Sequence, residues 1–313
     1  MNTNDQRQLA KIIADSLSPD GVRLTTMVID LPRIVLAELN THRMLSKSSA
    51  SSRAIPIEKM LARVMQDPYI PEEWGQNGKG MQAHGVVSDD VAEAALHHWL
   101  VARDHAVDQA ERLAALGIHK QTTNRLLEPF MWHTVIVTAT EWSNFFNLRC
   151  NPLAHPALRN TSEAMREVMA ASEPNPVDYG EWHLPYFDAE RDADIDPTDR
   201  PKVCAARCAR VSYLTHDGNR DPSKDVALAD SLLANGHMAP LEHVARPMRD
   251  TEAMRFLPEV VVESAEDEYG RVSLIHSTRA RAKHIYAGNF RGWMQLRKTI
   301  PHEADILAAR GLA

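Results

Sequence analysis

Residues 22–31, VRLTTMVIDL, constrain the fold more than any other stretch, because they alternate and are rich in β-branched side chains, the pattern of a strand. Pro32 follows at once and suits the first turn of a helix, and RIVLAELNTHRML after it sets Leu36, Leu39 and Arg43 along one helical face. The chain must therefore hold a strand and a helix back to back. Upstream, residues 6–17 read as a short helix. Downstream, the serine run 46–52 ends the helix, since serine favours turns and caps over helix interiors.

The text that follows alternates helices with breaks. Residues 67–85 carry two prolines and four glycines with no apolar period, which marks a long loop of the lid or binding kind. Ser88 opens a long amphipathic helix that Gly117 stops. Helical text continues through NRLLEPFMWHTVI and EWSNFFNLR to HPALRNTSEAMREVMAAS, so the middle third is mainly helical. Residues 173–201, rich in proline and aspartate, form a break inside a single domain of 1–313 or between two modules. Beyond it, Ser223 caps a helix that Gly236 stops. MRFLPEVVVESAED and GRVSLIHSTRARA read as strands joined by the EDEYG turn, and NFRGWMQLRKTI reads as the last helix. Strand then helix with a basic end recurs at 22–43 and 272–297, which suggests pseudo-symmetry.

With 313 residues, 44% of them hydrophobic and 25% charged, the chain can bury a sizeable core. No run approaches the ~18 uninterrupted apolar residues of a membrane helix, and the polar opening MNTNDQRQ lacks the regions of a signal peptide, so a cytoplasmic location is expected. Cys150, Cys204 and Cys208 are too few to staple a domain of this size and fit a reducing compartment. A formal net charge of −7 argues against broad adhesion to nucleic acid, while basic residues clustered locally suit a small phosphate ligand.

Three clusters bear on chemistry. In THRMLSKSSASSRA (residues 41–54), His42, Arg43, Ser46, Ser51 and Arg53 gather hydroxyl, amide and guanidinium groups in a small volume, as phosphate binding requires. A solvated serine-rich linker is the competing reading. In EWSNFFNLRC, Asn144 and Arg149 lie five residues apart on a helix and point about 140° apart, toward different ligands or different walls. Arg149, and likewise Arg125 in NRLLEPF, are otherwise helix-end surface residues. The third cluster joins CARVSY, with Ser212, to GHMAPLEH, with His237, Glu242 and His243. A metal reading of these histidines with Cys204 and Cys208 matches no common zinc spacing, so no metal is expected. Arg279, Arg281 and Lys283 alternate in STRARAK and would share one strand face. No glycine-rich phosphate loop and no G-x-S-x-G elbow is present, so a nucleotide must be held by side chains on helices.

Together these clusters resemble the flavin-dependent thymidylate synthases, whose hallmark is RHRxxSxNExSxRY. Here His42, Arg43, Ser46, Ser51 and Arg53 match, while Thr41, Ser48, Ser49 and Ala54 depart from it. PRIVLAELNTHR, TEWSNFFNLRCNPLAHPALR and NRLLEPF resemble further blocks of the family. CARVSY and GHMAPLEH resemble its N-terminal block but follow the hallmark, which reads as a permuted order. The resemblance implies an α+β fold with a central, mostly antiparallel sheet flanked by helices, assembled as a homo-oligomer, a tetramer in the family. It implies FAD as cofactor, with NADPH and methylenetetrahydrofolate as co-substrates, and a pyrimidine deoxynucleotide, dUMP, methylated at C5 to dTMP. It assigns His42, Arg43, Ser46, Asn144, Ser212 and His237 to FAD and Ser51, Arg53, Arg125 and Arg149 to the nucleotide, with Arg149 and Ser51 at the chemistry. The departures at Thr41, Ser48, Ser49 and Ala54 leave two alternatives: another base or group transferred, such as dCMP or a hydroxymethyl product, and an inactive nucleotide-binding relative.

Overall fold

The computed structural model describes residues 7–212, 221–256, 264–266, 272–274 and 281–303. In chain order its strands are β1 (Ala10–Leu17), β2 (Arg23–Pro32), β3 (Ser46–Ser49), β4 (Trp132–Ala139), β5 (Asn175–Pro176), β6 (Ala245–Pro247), β7 (Ser264–Glu266), β8 (Val272–Leu274), β9 (Tyr286–Ala287), β10 (Phe290–Arg291) and β11 (Trp293–Gln295). Its α-helices are α1 (Leu36–Asn40), α2 (Ile57–Gln66), α3 (Asp89–Ala115), α4 (Lys120–Thr123), α5 (Ser143–Arg149), α6 (Pro156–Ala170), α7 (Arg200–Ala209), α8 (Pro222–Ala234) and α9 (Asp250–Ala253).

The expected strand at 22–31 is β2, the centre of a five-stranded sheet in the order β3-β4-β2-β1-β5. Every pairing in it is antiparallel except the short β1–β5 contact. The expected α+β class, a mostly antiparallel sheet flanked by helices, is therefore what the chain adopts. On one face Met27, Ile29 and Leu31 of β2 and Val135 and Val137 of β4 pack on Leu36 and Leu39 of α1, Phe145 of α5, and Leu158 and Met165 of α6. Each such side chain contributes roughly 1.5–3 kcal/mol by leaving water.

The opposite face is unusual in burying a polar file. His183 hydrogen bonds Ser16 Oγ through Nδ1 (2.8 Å) and Thr26 Oγ1 through Nε2 (2.7 Å). Thr26 bonds Thr138 (2.7 Å), which in turn bonds His243 Nδ1 (2.8 Å). Beside it Arg207 of α7 forms two hydrogen bonds to Asp192 and one to Asp225 of α8, and Arg210 pairs with Asp225 at 2.9 Å.

Several local expectations differ from this structure. Residues 10–17 form β1, not a helix, because Asp15 is buried there, bonded by Arg23 (2.9 and 2.6 Å), Thr25 (2.9 Å) and Ser172 (2.6 Å). Tertiary bonding thus overrides local propensity. The helix after Pro32 is shorter than expected, a 3₁₀ turn at Arg33–Val35 followed by α1. The serines expected to turn the chain form edge strand β3. Ser46 Oγ accepts from Asn289 and Gln295, both at 3.2 Å, so it does not compete with its own backbone. NRLLEPFMWHTVI is a 3₁₀ helix, Asn124–Phe130, and then β4, since Pro129 ends the helical text and the β-branched run is central in the sheet. Asp221, not Ser223, caps α8, accepting from Ser223 N at 3.0 Å. NFRGWMQLRKTI is β10, β11 and a 3₁₀ turn at Leu296–Thr299, broken by Gly292 at φ +72°, so the proposed pseudo-repeat is absent. STRARAK ends in a 3₁₀ turn, Ala282–His284, that takes in its Ala282 and Lys283, and Arg279 lies outside the described residues. β7 and β8 pair as expected of a hairpin, with most of the text around them outside the described residues. The loop at 67–85, the start of α3 after Ser88 and the stop at Gly117 (φ +79°) follow expectation. Among the described residues no helix is long and apolar enough to cross a membrane.

Burial holds His183 and His243 neutral, with pKa values lowered to about 3. A folded value below the unfolded one means that their stabilisation is complete above pH ~6.5 and is lost as pH falls through 6.5 toward the folded value. Each should remove about 1.4 kcal/mol of stability per pH unit in that window. Denaturant unfolding of wild type and His183→Gln between pH 7 and 4.5 checks this: the variant should show a shallower pH dependence, and equal slopes would contradict it.

Candidate functional site

β3 pairs with β4 from Ser46↔Thr138 to Ser49↔Val135, and Ala50 N prolongs the ladder to Thr134 O at 3.0 Å. The chain then turns through Ser51 and Arg53. That turn is pinned from below by Asn124, fully buried, whose Nδ2 donates to Ser52 O (2.7 Å) and Ile55 O (3.0 Å). Lys120 Nζ donates to Ala54 O at 3.1 Å. Because Asn124 opens the helical turn that carries Arg125, the two segments that bear Ser51, Arg53 and Arg125 are fixed to each other.

They enclose a cleft of ≈ 270 Å³, lined among others by Arg33, Ser51, Ser52, Arg53, Arg125 and His133. Three guanidinium groups and serine hydroxyls line it and no lining side chain is a carboxylate, a lining with the chemistry to take an anion. Glu128 bridges two of the arginines, accepting from Arg125 Nη1 (2.5 Å) and Arg33 Nη2 (3.4 Å). His133 on β4 is buried and its pKa lowered to about 4, by desolvation first and then by Arg33. A second cleft of ≈ 350 Å³ shares Ala50, Ser52 and His133 and is walled by Met60, Phe130 and Trp132 with Arg7, Asp30 and Arg63.

The other expected residues lie elsewhere. His42 is buried at the end of α1, edge-on to Phe145 with ring centroids 4.9 Å apart. Arg149 Nε donates to its Nε2 at 2.8 Å, which makes that nitrogen an unprotonated acceptor and leaves the ring proton on Nδ1. Desolvation, then Arg149 and Lys47, lower the His42 pKa to about 4. Arg149 Nη2 also reaches Glu38 O (3.4 Å) and Thr41 Oγ1 (3.3 Å), long contacts that leave its donors available. Arg149 does not line the arginine cleft. Arg43, Asn144 and His237 are exposed, and Ser46 is buried with its hydroxyl taken by Asn289 and Gln295. Ser212 ends a 3₁₀ turn at Arg210–Ser212. Cys204 and Cys208 are buried in α7 with thiols pushed up by desolvation, unsuited to thiolate chemistry. Among the described residues no group of three or more His, Cys, Asp or Glu is placed to hold a metal.

Sequence reasoning missed Arg33 and His133. Arg33 had a weak signal: a cation in a first helical turn opposes the helix dipole. His133 had none, being one residue in a β-branched run.

The His42–Arg149 contact gives a spectroscopic expectation. His42 should stay neutral from pH 5 to 8. Arg149→Ala should raise its pKa, while burial keeps it below the ordinary 6.5. NMR titration of the ring protons measures both, and an unchanged pKa in the variant would refute the coupling.

Residues 20–175 match the family model described as thymidylate synthase complementing protein, a span that holds the whole arginine cleft, His42 and Arg149. The CARVSY and GHMAPLEH text lies beyond it, so the permuted order finds no support there. No curated protein matches the chain. Two solved structures of the UMP/dUMP methylase PolB from Streptomyces cacaoi are similar in part. The one with 5-Br dUMP has a TM-score of 0.39 and 20% identity, over 48% of this chain and 66% of that one, just under two thirds of its length. The one with 5-Br UMP has a TM-score of 0.42 and 15% identity, over 52% of this chain and 88% of that one.

Proposed function

The chain belongs to the family of thymidylate synthase complementing proteins, and from that premise we propose that it methylates a pyrimidine nucleotide at C5, with dUMP as substrate and dTMP as product. The observation that carries this reading is the convergence of Ser51, Arg53 and Arg125, with Arg33, on one cleft of ≈ 270 Å³. Such a cleft takes the phosphate. Arg149 serves the pyrimidine ring, with its guanidinium fixed by His42 through Nε and its Nη groups only loosely engaged. A positive charge there stabilises electron density pushed onto the base carbonyl.

FAD, with NADPH and methylenetetrahydrofolate as co-substrates, belongs to this reading. The exposed guanidinium of Arg43, amide of Asn144 and imidazole of His237 are suitable donors for it, on segments brought near by the Arg149–His42 bond and by the packing of the 3₁₀ turn Ala239–Glu242 on β3. Ser46 does not fit, because its hydroxyl is buried and already bonded. A flavin bound there would supply hydride chemistry. The chain's own residues hold the phosphate, orient the base and keep His42 neutral as a hydrogen-bonding ring. Assembly as a homo-oligomer is part of the proposal, supported by exposed Met44, Leu148 and Leu153 close in sequence to these residues. A second reading, another pyrimidine or a hydroxymethyl product, is favoured by Thr41, whose hydroxyl stands beside Arg149 where the family hallmark has an arginine.

Protein incubated with FAD, NADPH, methylenetetrahydrofolate and each pyrimidine monophosphate should yield dTMP from dUMP, identified by product mass. A product from dCMP instead selects the second reading, and a protein that binds no flavin removes both. Within the assay, Arg53→Ala or Arg125→Ala should chiefly raise KM, because a phosphate contact serves ground and transition states alike. Arg149→Ala should lower kcat by roughly a hundredfold, the effect of losing an oxyanion donor. Unchanged kcat in Arg149→Ala would return that residue to a helix-end role.

A further inference from the structure

We infer that Glu128 sets the charge selectivity of the arginine cleft, matching it to a phosphate monoester and against a diphosphate. The inference rests on the nucleotide reading of that cleft. Arg33, Arg53 and Arg125 line it, and Glu128, just outside the lining, bridges two of them at 2.5 and 3.4 Å. Three guanidinium charges less one carboxylate leave two positive charges from these four groups. They are equal and opposite to the charge of a phosphate monoester above its second ionisation, near pH 6. His133, held neutral by burial, adds none near pH 7.

The bridge engages one nitrogen of Arg125 and one of Arg33, so each guanidinium keeps further N–H groups for an anion. Glu128 therefore does not block the site. It acts as a fixed negative charge whose repulsion grows with the charge of the ligand. Its side chain is 21% exposed, partly shielded from water, whereas that of Arg125 is 49% exposed. Screening is accordingly incomplete for Glu128, and each extra unit of ligand charge should feel it by several-fold in affinity.

A purely orienting role for Glu128 makes the opposite forecast. If it served only to hold the two arginines in place, its loss would weaken every phosphorylated ligand by a similar factor. Charge selectivity instead demands that its loss tighten binding, and more so for the more highly charged ligand.

Calorimetric titration of the full chain with deoxyuridine, dUMP and dUDP at pH 7.5 separates the two. In Glu128→Gln, dUMP should bind about threefold and dUDP about tenfold more tightly than in wild type, with deoxyuridine unchanged and the gains shrinking as salt is raised. Glu128→Ala should give the same sign, and thermal melting of both variants guards against misfolding. Equal weakening of dUMP and dUDP, or an unchanged ratio between them, overturns the inference and leaves the nucleotide reading in place. Wild type that binds neither nucleotide removes that reading and the inference with it.

Discussion

The ladder between β3 and β4 is the interaction on which the candidate site depends. It spans only Ser46↔Thr138 to Ser49↔Val135, yet it fixes where the following turn leaves the sheet. A slip of one residue would exchange the two faces of β3 and carry Ser51 and Arg53 out of line with Arg125. The register is held by more than the ladder: Ser46 is bonded by Asn289 and Gln295 at one end, and Ser52 O and Ile55 O by Asn124 at the other. A short edge strand of serines, weak by propensity, is thereby clamped at both ends by amide side chains from distant parts of the chain.

The two faces of the central sheet do different work. One is apolar and packs on α1, α5 and α6, forming the largest hydrophobic cluster among the described residues. The other buries Ser16, Thr26, Thr138, His183 and His243 in one file of hydrogen bonds. Burying these groups unbonded would cost on the order of 1–3 kcal/mol each, so their bonds hold the strands of the sheet and the segments carrying His183 and His243 to one arrangement. Arg207 extends the principle to α7 and α8. With Asp192 and Asp225 both buried around it, removal of the guanidinium would take from Asp192 the cation it pairs with and leave Asp225 to Arg210 alone.

The arginine cleft and the end of α1 differ in their electrostatics. In the cleft, arginines outnumber carboxylates and the field suits an anion. At the end of α1, Arg149 and Lys47 face a histidine that burial and both cations keep neutral, so the charge there rests on the arginine and the ring acts as its acceptor.

How much of this was legible in the sequence differs from element to element. The strand at 22–31, the helix opened by Ser88, the loop at 67–85 and helices α5 and α6 follow from periodicity and punctuation, because each is long enough for its own pattern to decide it. Ser51 and Arg53 stood out as anion-binding residue types before any geometry was known, and Arg125 joined them only through the family resemblance. Their meeting in one cleft did not stand out, since it depends on Asn124 bonding two carbonyl groups 69 and 72 residues away. Residues 10–17 became a strand because the neighbouring strand β2 pairs with them along their length, residues 46–49 because β4, far along the chain, satisfied their backbone, and β4 emerged from text read as helix because its β-branched run is central in the sheet. Local sequence determined which segments had strong preferences and which side chains had the chemistry. Tertiary structure decided the weak segments and the assembly of the cleft, because hydrogen bonds and burial supplied across the chain outweigh the few tenths of a kcal/mol by which local propensities differ.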